Sequence, residues 1–340
     1  MSSAPSAIVD CDLHPRAGGI AALFPYLSVA WREYYRASTF YAMSDREPPP
    51  AGAPSDTPAA FAEAYLERPG VDAGILVSIQ SGAVNGLVDH IRAAAFVAAF
   101  NDYLVDCWLG ADRRFWLAAT VSPLDPATAA REIRRMSRQD KVVAIFLPLI
   151  NRLLGSGHFE PIFAAAERAD LPIILHPTPA EGTALGAPVL AGGLPANGQV
   201  RAVLAPEIAF SALASLVLDG AFARHRGLRV VFSDYGFEWV PAALWRLDSY
   251  WAAARTTFPH KSLRPSDVIR ERVSFAGAAA IPAEESEQLW SLLRTAGLED
   301  SILSGSDSPY GGVGMRPQTS SRNAARVFGP RLLDALSETA

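Results

Sequence analysis

Three polar side chains alternate along an apolar segment near the start of the chain, and their types are those that bind metal ions. In "IVDCDLHPR", Asp10, Asp12 and His14 are spaced two residues apart. Successive side chains of an extended strand point to opposite faces, so these three are predicted to share one face while Cys11 and Leu13 take the other. One face of this strand therefore carries groups that do chemistry or form a buried polar network.

Three further donors of the same kind occur at the ends of short apolar runs. His176 lies in "PIILHP", Asp234 ends "VVFSD" and Asp307 ends "SILSGSD". A single Asp or His after a strand is more often a helix cap or a loop anchor, so the interpretation depends on the whole set. Imidazole and carboxylate groups that converge are typical ligands of iron, manganese or zinc. The predicted metal ligands are Asp12, His14, His176, Asp234 and Asp307.

The segments that would position these donors alternate between strand-like and helix-like patterns. Strands that alternate with helices pair in parallel through right-handed crossovers, so we predict an α/β fold, a (β/α)8 TIM barrel. The active site of such a barrel forms at the carboxyl ends of its strands, which is where the donors fall. The eight predicted strands are residues 8–14, 72–78, 115–121, 142–148, 172–177, 229–234, 272–277 and 301–307.

The chain is longer than a minimal barrel, and two segments account for the difference. A barrel of this kind typically has about 250 residues, whereas this chain has 340. Residues 31–70 include the Pro-rich "DREPPPAGAPSDTP", and residues 178–206 are rich in Gly, Ala and Pro. We predict a single domain over residues 1–340 in which these insertions, after strands one and five, form a lid or a pocket wall.

Aromatic residues crowd the region after the first predicted strand. We interpret them as a lid over an apolar or aromatic acyl group, with a packing role as the alternative. They are Phe24, Tyr26, Trp31, Tyr34, Tyr35, Phe40 and Tyr41.

Composition argues against several classes of function. Half of the residues are apolar and 19% are charged, which is typical of a globular protein. The net charge of -5 argues against a nucleic acid or an anionic membrane as the partner. Because we identify neither a signal peptide nor an apolar run of roughly 18 residues, we expect a cytoplasmic protein. Cys11 and Cys107 are expected to be packed thiols. The remaining histidines are expected at the surface: His90, His158, His225 and His260.

Several motifs resemble one known family. They are "IVDCDLHP", "FNDYLVDCW", "VSPLDP", "LPIILHPT", "GLRVVFSDYGFEWVP" and "ILSGSDSPY". Together they resemble the amidohydrolase superfamily, in the branch of aminocarboxymuconate semialdehyde decarboxylase and its amidohydrolase-related proteins. The resemblance implies a metal-dependent barrel in which His176 is a metal ligand and Asp307 is a ligand or a proton-transferring carboxylate. It also implies a homodimer.

The chain departs from that family at two donor positions. The family's first strand usually has a His-x-His pair, whereas this chain has Asp12 and His14 with Asp10 in front. Decarboxylase members usually have a His at strand six, where this chain has Asp234. Carboxylates crowded together need a cation, so one or two divalent ions are expected. The fourth strand, "VVAIFLP", offers no bridging Lys or Glu, so Asp12 or Asp234 would have to bridge a pair of ions.

These departures favour a metal-dependent hydrolase that acts on a carbonyl ester-like bond. A metal-bound hydroxide would be the nucleophile, and Asp307 or Asp234 would move its proton. A thioester of coenzyme A with a bulky apolar acid is the favoured substrate, because the chain resembles the superfamily's diterpenoid thioesterases of antibiotic biosynthesis. Candidates for the phosphates of such a substrate, or else ordinary surface charges, are Arg152, Arg201, Lys261 and Arg264. The alternatives are a non-oxidative decarboxylase of an aromatic or unsaturated carboxylic acid, and a metal-free protein that binds a small molecule.

Overall fold

Seven parallel strands, paired in the order of the chain, form the centre of the fold. The computed structural model describes residues 8–37, 52–54, 56–68, 71–182, 186–254, 263–277, 283–311, 321–329 and 332. The strands are β1 (Ile8–Leu13), β2 (Val71–Leu76), β3 (Phe115–Thr120), β4 (Val142–Phe146), β5 (Ile173–Leu175), β6 (Val230–Ser233) and β7 (Val273–Ala276).

Helices connect the strands, and several begin at a polar residue that caps the first turn. Asp89, Asp125 and Asn197 each accept hydrogen bonds from backbone N–H groups at the start of a helix. The helices are α1 (Val29–Ala37), α2 (Pro58–Tyr65), α3 (Ile79–Gly82), α4 (His90–Tyr103), α5 (Pro126–Met136), α6 (Glu160–Arg168), α7 (Gly198–Leu218), α8 (Ala221–Arg224), α9 (Val240–Ala254), α10 (Pro265–Arg272), α11 (Ala283–Thr295) and α12 (Ser321–Phe328).

An eighth segment joins the two edges of the sheet. The N–H of Leu303 donates to the carbonyl of Phe275 on β7, and the N–H of Cys11 on β1 donates to the carbonyl of Ser304, both at 2.8 Å. Hydrogen bonds to both edge strands bring the sheet round on itself. The predicted α/β barrel is therefore confirmed.

The eighth segment differs from the prediction in one respect, because it makes isolated bridges rather than a regular strand. The N–H of Ser306 donates to the Asp10 carboxylate at 3.0 Å, and this side-chain bond replaces a backbone bond of a regular ladder. Gly305 permits a close approach, since a Cβ there would lie 2.9 Å from the Cβ of Asp12. The sequence pattern located the segment but missed its irregular backbone.

Two apolar clusters fill the inside and the outside of the barrel. The smaller cluster takes side chains from all seven strands, which meet only in the interior. Along β5, Ile174 belongs to this cluster while Ile173 and Leu175 face the helices in the larger one. Cys11 and Leu13 were expected to share one face of β1, but they lie in different clusters. The reason is that the pairing of β1 with β2 is irregular between Asp10 and Leu13. Cys11 and Cys107 are free thiols.

The described aromatic residues of the first insertion pack against one another. The ring centroids of Tyr34 lie 5.5 Å from Trp31 and 5.4 Å from Tyr35. The Arg92 guanidinium of α4 lies 5.3 Å from the ring centroids of Tyr34 and Tyr35. These contacts give the three rings a packing role, and the lid stays a prediction. Phe40 and Tyr41 lie outside the described residues.

One helix, α7, is long and apolar enough to cross a membrane by length and composition. It also contains Pro206 and buries Ala209, Leu213 and Leu216 in the larger cluster of the barrel. A helix that packs against a barrel core can have the same length and apolar composition. The cytoplasmic location and the absence of a membrane partner stay predictions.

Candidate metal centre

Four of the five predicted ligands converge inside the barrel mouth. One atom from each lies within 4.8 Å of the others, and we call the set Asp12, His14, His176 and Asp307 the donor group. Within it, Asp12 Oδ1 lies 3.7 Å from His14 Nε2 and 3.5 Å from His176 Nε2. His14 Nε2 lies 2.9 Å from Asp307 Oδ1. Two imidazoles and two carboxylates at this spacing can surround one divalent ion.

The two histidines are oriented by backbone carbonyl groups. His14 Nδ1 donates to the carbonyl of Val77 at 2.7 Å, and His176 Nδ1 donates to the carbonyl of Pro177 at 2.7 Å. A carbonyl oxygen only accepts, so the Nδ1 atoms carry the protons. In the neutral rings the Nε2 lone pairs then face the donor group, which is how histidine ligands are commonly held in metal sites.

Several atoms of the donor group are buried without a hydrogen-bond partner among the described residues. They are both carboxylate oxygens of Asp12 and Nε2 of His176. Buried polar atoms are nearly always paired, because losing water without a replacement costs roughly 1–3 kcal/mol per group. A bound cation would satisfy these atoms, so the donor group fits a metal ion.

Mutual attraction in the donor group governs its protonation. Burial raises the pKa of the Asp12 carboxyl, but His176 and His14 outweigh burial and hold that pKa below its usual value. Burial lowers the pKa of His176, yet the Asp12 carboxylate outweighs it and raises the pKa to about 10. Burial likewise lowers the pKa of His14, and Asp12 reverses this shift. The cluster thus holds protons on imidazoles that a metal ion would displace.

Asp234, the fifth predicted ligand, is not one of the four converging atoms. Its backbone has a φ of 57°, and that of Asp307 has a φ of 50°, both in the left-handed region. Such conformations cost about 1–3 kcal/mol for most residues and cluster at functional sites.

Burial, followed by the charge of Asp307, raises the pKa of Asp234 to about 7. Asp234 is therefore a protonatable carboxyl close to the donor group, and its role as a ligand stays a prediction.

Asp10 braces the site from behind. Its Oδ1 accepts from the N–H of Asp12 at 3.2 Å and from the N–H of Ser306 at 3.0 Å. Burial raises its pKa to about 6. Asp10 joins β1 to the eighth segment and thereby fixes two strand ends that carry donors.

Sequence reasoning missed Arg16, which lies beside the donor group. Arg16 is buried, and its Nη1 donates to the Tyr310 hydroxyl at 2.9 Å. The Tyr310 ring centroid lies 5.9 Å from that of His14. The motif "DLHPR" contained a signal, because Arg16 follows a predicted ligand by two residues.

A cavity of about 470 Å³ opens next to Asp234. Glu181 and Tyr235 are buried beside it, and neither was predicted as a site residue. Glu181 lies in an insertion without a periodic pattern, so no sequence signal singled it out. The cavity also contains Arg201, from α7.

The other basic residues proposed for a phosphate group have separate partners or surroundings. Arg264 is paired with Asp248 at 2.7 Å. Arg152 is exposed and lines a different cavity. Lys261 lies outside the described residues.

Comparisons with known proteins place the chain in a family. The family model described as Amidohydrolase matches residues 9–322. The γ-resorcylate decarboxylase of Rhodococcus jostii (strain RHA1) is 30% identical over 207 residues, 55% of this chain and 59% of that protein. The alignment therefore spans less than two thirds of the relative.

Solved structures share the fold across nearly the whole chain. An amidohydrolase from Mycobacterium avium subsp. paratuberculosis K-10 has a TM-score of 0.67 and 19% identity, with 98% of each chain covered. The 5-carboxyvanillate decarboxylase of Novosphingobium aromaticivorans DSM 12444, complexed with manganese and 4-hydroxy-3-methoxy-5-nitrobenzoic acid, has a TM-score of 0.65 and 18% identity. That likeness covers 98% of this chain and 96% of the decarboxylase.

These findings correct the predicted thioesterase activity. The expectation of thioester hydrolysis is wrong, because both curated relatives and several of the solved structures are named decarboxylases. The site corrects the expected metal arrangement as well: four donor atoms converge on one position, which supports one divalent ion and does not require a pair bridged by Asp12 or Asp234. With the barrel, the donor group and the family match over residues 9–322, the chain belongs to the amidohydrolase family.

Proposed function

We propose that this protein is a metal-dependent, non-oxidative decarboxylase of a phenolic aromatic acid. The observation that carries the proposal is the donor group, with its unpartnered buried atoms, in a chain whose curated relatives are named γ-resorcylate decarboxylases. The solved 5-carboxyvanillate and dihydroxybenzoic acid decarboxylases with bound manganese support a divalent ion such as manganese.

The proposed ligands are Asp12, His14, His176 and Asp307. When bound there, a divalent ion attracts the oxygens of an aromatic acid and stabilises negative charge that develops on them. Arg16 is the proposed source of positive charge for the substrate carboxylate, because its guanidinium donates to the Tyr310 hydroxyl and the Tyr310 ring centroid lies 5.9 Å from that of His14. The barrel mouth would thus orient the acid with its carboxylate-bearing ring carbon towards the end of β6.

Asp234, at the end of β6, is the proposed proton donor. In the balanced reaction the ring carbon takes a proton, the bond to the carboxylate breaks, its electron pair returns to the ring, and carbon dioxide leaves. A protonated carboxyl can do this as a general acid. Asp234 has a raised pKa near 7 because of burial and the charge of Asp307, so the carboxyl holds its proton further towards neutrality than an exposed Asp would. It occupies the place where decarboxylase members of the family usually have a His.

The proposal is tested by loading the purified protein with manganese and measuring carbon dioxide release from 2,6-dihydroxybenzoate and 5-carboxyvanillate. We expect release that stops on chelation and returns when manganese is restored. The matched variant is Asp307→Asn, which keeps the shape of a proposed ligand and removes its charge. Stoichiometric metal with no carbon dioxide from any phenolic acid in a broad panel would contradict the proposal.

A further inference from the structure

The cavity beside Asp234 reaches into the second insertion, residues 178–206. Pro177, which follows the proposed ligand His176, lies in its wall together with Asp234. The volume of about 470 Å³ falls within the roughly 300–1,000 Å³ typical of pockets that enclose drug-sized ligands. Its apolar wall consists of Leu190, Val203, Ala205, Pro206 and Ile208. The cavity can therefore hold an apolar body that extends beyond a single benzoate ring.

One polar group in this cavity is buried and held in place. Glu181 is 2% exposed, and the Tyr235 hydroxyl lies 3.1 Å from both of its carboxyl oxygens. A carboxyl group has about four lone-pair sites, so the Tyr235 hydroxyl does not use the whole hydrogen-bonding capacity of Glu181. Burial raises the pKa of Glu181 to about 8, and the Tyr235 hydrogen bond only partly opposes that shift. Such a group is suited to a neutral hydrogen-bonding partner.

The charges around the cavity argue against a second anionic group on the ligand. Glu181, Asp234 and Glu238 face a single guanidinium, that of Arg201. Arg201 Nε donates to the carbonyl of Glu181 at 3.1 Å, and its Nη2 donates to the carbonyl of Thr178 at 2.6 Å. Arg201 thus holds the insertion backbone in place, and the carboxyl groups of the cavity, protonated or not, offer no positive charge to compensate an anionic group of the ligand.

We propose that this cavity binds the remote part of an extended phenolic acid, and that Glu181, positioned by Tyr235, selects a hydroxyl group there. The inference rests on the proposed function for the position of the reacting carboxylate. It makes Glu181 a specificity-determining residue and Tyr235 a positioning residue, and it gives the second insertion a role in substrate choice.

The test measures binding rather than turnover, by calorimetry on the manganese-loaded full chain. The probes are salicylate and three extended salicylates that carry a remote phenyl, hydroxyphenyl or carboxyphenyl group. We expect all extended probes except the carboxyphenyl form to bind more tightly than salicylate. A buried hydrogen bond contributes about 0.5–1.5 kcal/mol, so the hydroxyphenyl probe should bind roughly two- to twelvefold more tightly than the phenyl probe.

Variants then assign this preference to Glu181. Glu181→Leu should reduce the hydroxyphenyl-to-phenyl affinity ratio to about one, and Tyr235→Phe should reduce it partly. Glu207→Leu is the matched control, because Glu207 is exposed on the same helix as Arg201 and does not line the cavity. An affinity ratio is not moved by a general loss of stability. The wild-type panel remains informative even if Glu181→Leu fails to fold.

Two results would overturn the inference. One is an extended panel that binds no better than salicylate, and the other is a carboxyphenyl probe that binds best, which would indicate an anion site at Arg201. Failure of the proposed function is distinguishable, since tight and selective binding without carbon dioxide release would refute decarboxylation and leave the cavity assignment standing. Carbon dioxide release without any preference for extended probes would do the reverse.

Discussion

The barrel contains two clusters of histidine and carboxylate groups, and they differ in whether their polar atoms are paired. The first is the donor group, in which both oxygens of Asp12 and Nε2 of His176 are buried without a hydrogen-bond partner in the described part of the chain. The second, which we call the His225 cluster, joins α6 to α8. Its members are His225, Glu160, Glu167 and Arg224.

In the His225 cluster every ring nitrogen has a carboxylate. His225 Nε2 lies 2.8 Å from Glu160 Oε2, and Nδ1 lies 3.1 Å from Glu167 Oε2. Arg224 occupies the other oxygen of Glu160, and the N–H of Gly227 occupies that of Glu167. The same residue types therefore form a fully paired structural cluster in one place and a group of proposed ligands with unpaired atoms in the other. Burial of polar groups does not distinguish the two clusters. Polar atoms without a hydrogen-bond partner do, and they occur in the donor group.

The largest effect is expected from removing a donor. His176→Ala should reduce bound manganese from about one ion per chain to nearly none, because three donors remain and the other groups lose their common centre. Turnover should fall by more than the roughly 10–100-fold that follows loss of a residue that only orients a ligand. Elemental mass spectrometry and a carbon dioxide assay measure the two losses. If this variant still bound one ion tightly, the unpaired atom of His176 would not mark a metal ligand, and the contrast between the two clusters would have no functional meaning.

The next largest effect tests whether Asp234 is a proton donor outside the donor group or a fifth ligand. Asp234→Asn keeps the side-chain shape and removes the proton, so turnover should fall roughly 100- to 10,000-fold, as for loss of a general acid. Metal content should stay at the wild-type level, because Asp234 is not among the four converging atoms. Parallel measurement of metal and turnover separates the roles. Loss of metal together with activity would make Asp234 a ligand, as the sequence predicted.

The sequence predicted the barrel and much of the donor group because both depend on local patterns. Apolar runs located Asp12, His14, His176 and Asp307 at strand ends, although the strict period of two fails on β1. Asp234 stands at an equivalent place in sequence and shares its left-handed backbone with Asp307, so neither the pattern nor φ distinguishes the carboxylate that joins the donor group from the one outside it.

Features that depend on tertiary packing were missed. The surface position expected for His225 is wrong, since it is 7% exposed where α6 meets α8. Glu181 became buried through contact with Tyr235, 54 residues away. The homodimer also depends on surfaces that sequence periodicity does not define, and it stays a prediction that molecular mass in solution can test.

A smaller effect is expected from breaking the His225 cluster. His225→Ala should lower the free energy of unfolding by about 1–3 kcal/mol, because two partly buried carboxylates lose a hydrogen-bond donor. Manganese content and turnover should not change. His90→Ala is the matched control, since His90 is exposed and such changes usually stay within about 0.5 kcal/mol. Chemical denaturation measures both variants, and metal loss in His225→Ala would show that the two clusters are coupled.

The smallest effect concerns the charge of the His225 cluster and its dependence on pH. Burial raises the pKa of Glu160, but hydrogen bonds from Arg224 and His225 outweigh burial and hold that pKa below its usual value of 4.5. A lowered folded pKa means that the ionised group stabilises the fold above the unfolded pKa, and that this contribution is lost as pH falls through the folded pKa.

Glu160→Gln should therefore lower the free energy of unfolding by about 0.2–1 kcal/mol near neutral pH, the range of partly exposed ion pairs, and by progressively less in acid. Glu207→Gln, at an exposed position, should show neither the loss nor its pH dependence. Denaturation curves at several pH values with manganese present keep the donor group filled and isolate the His225 cluster. A difference that grows in acid would have the wrong sign for a paired carboxylate, and would mean that the His225 cluster does not stabilise the charge of Glu160.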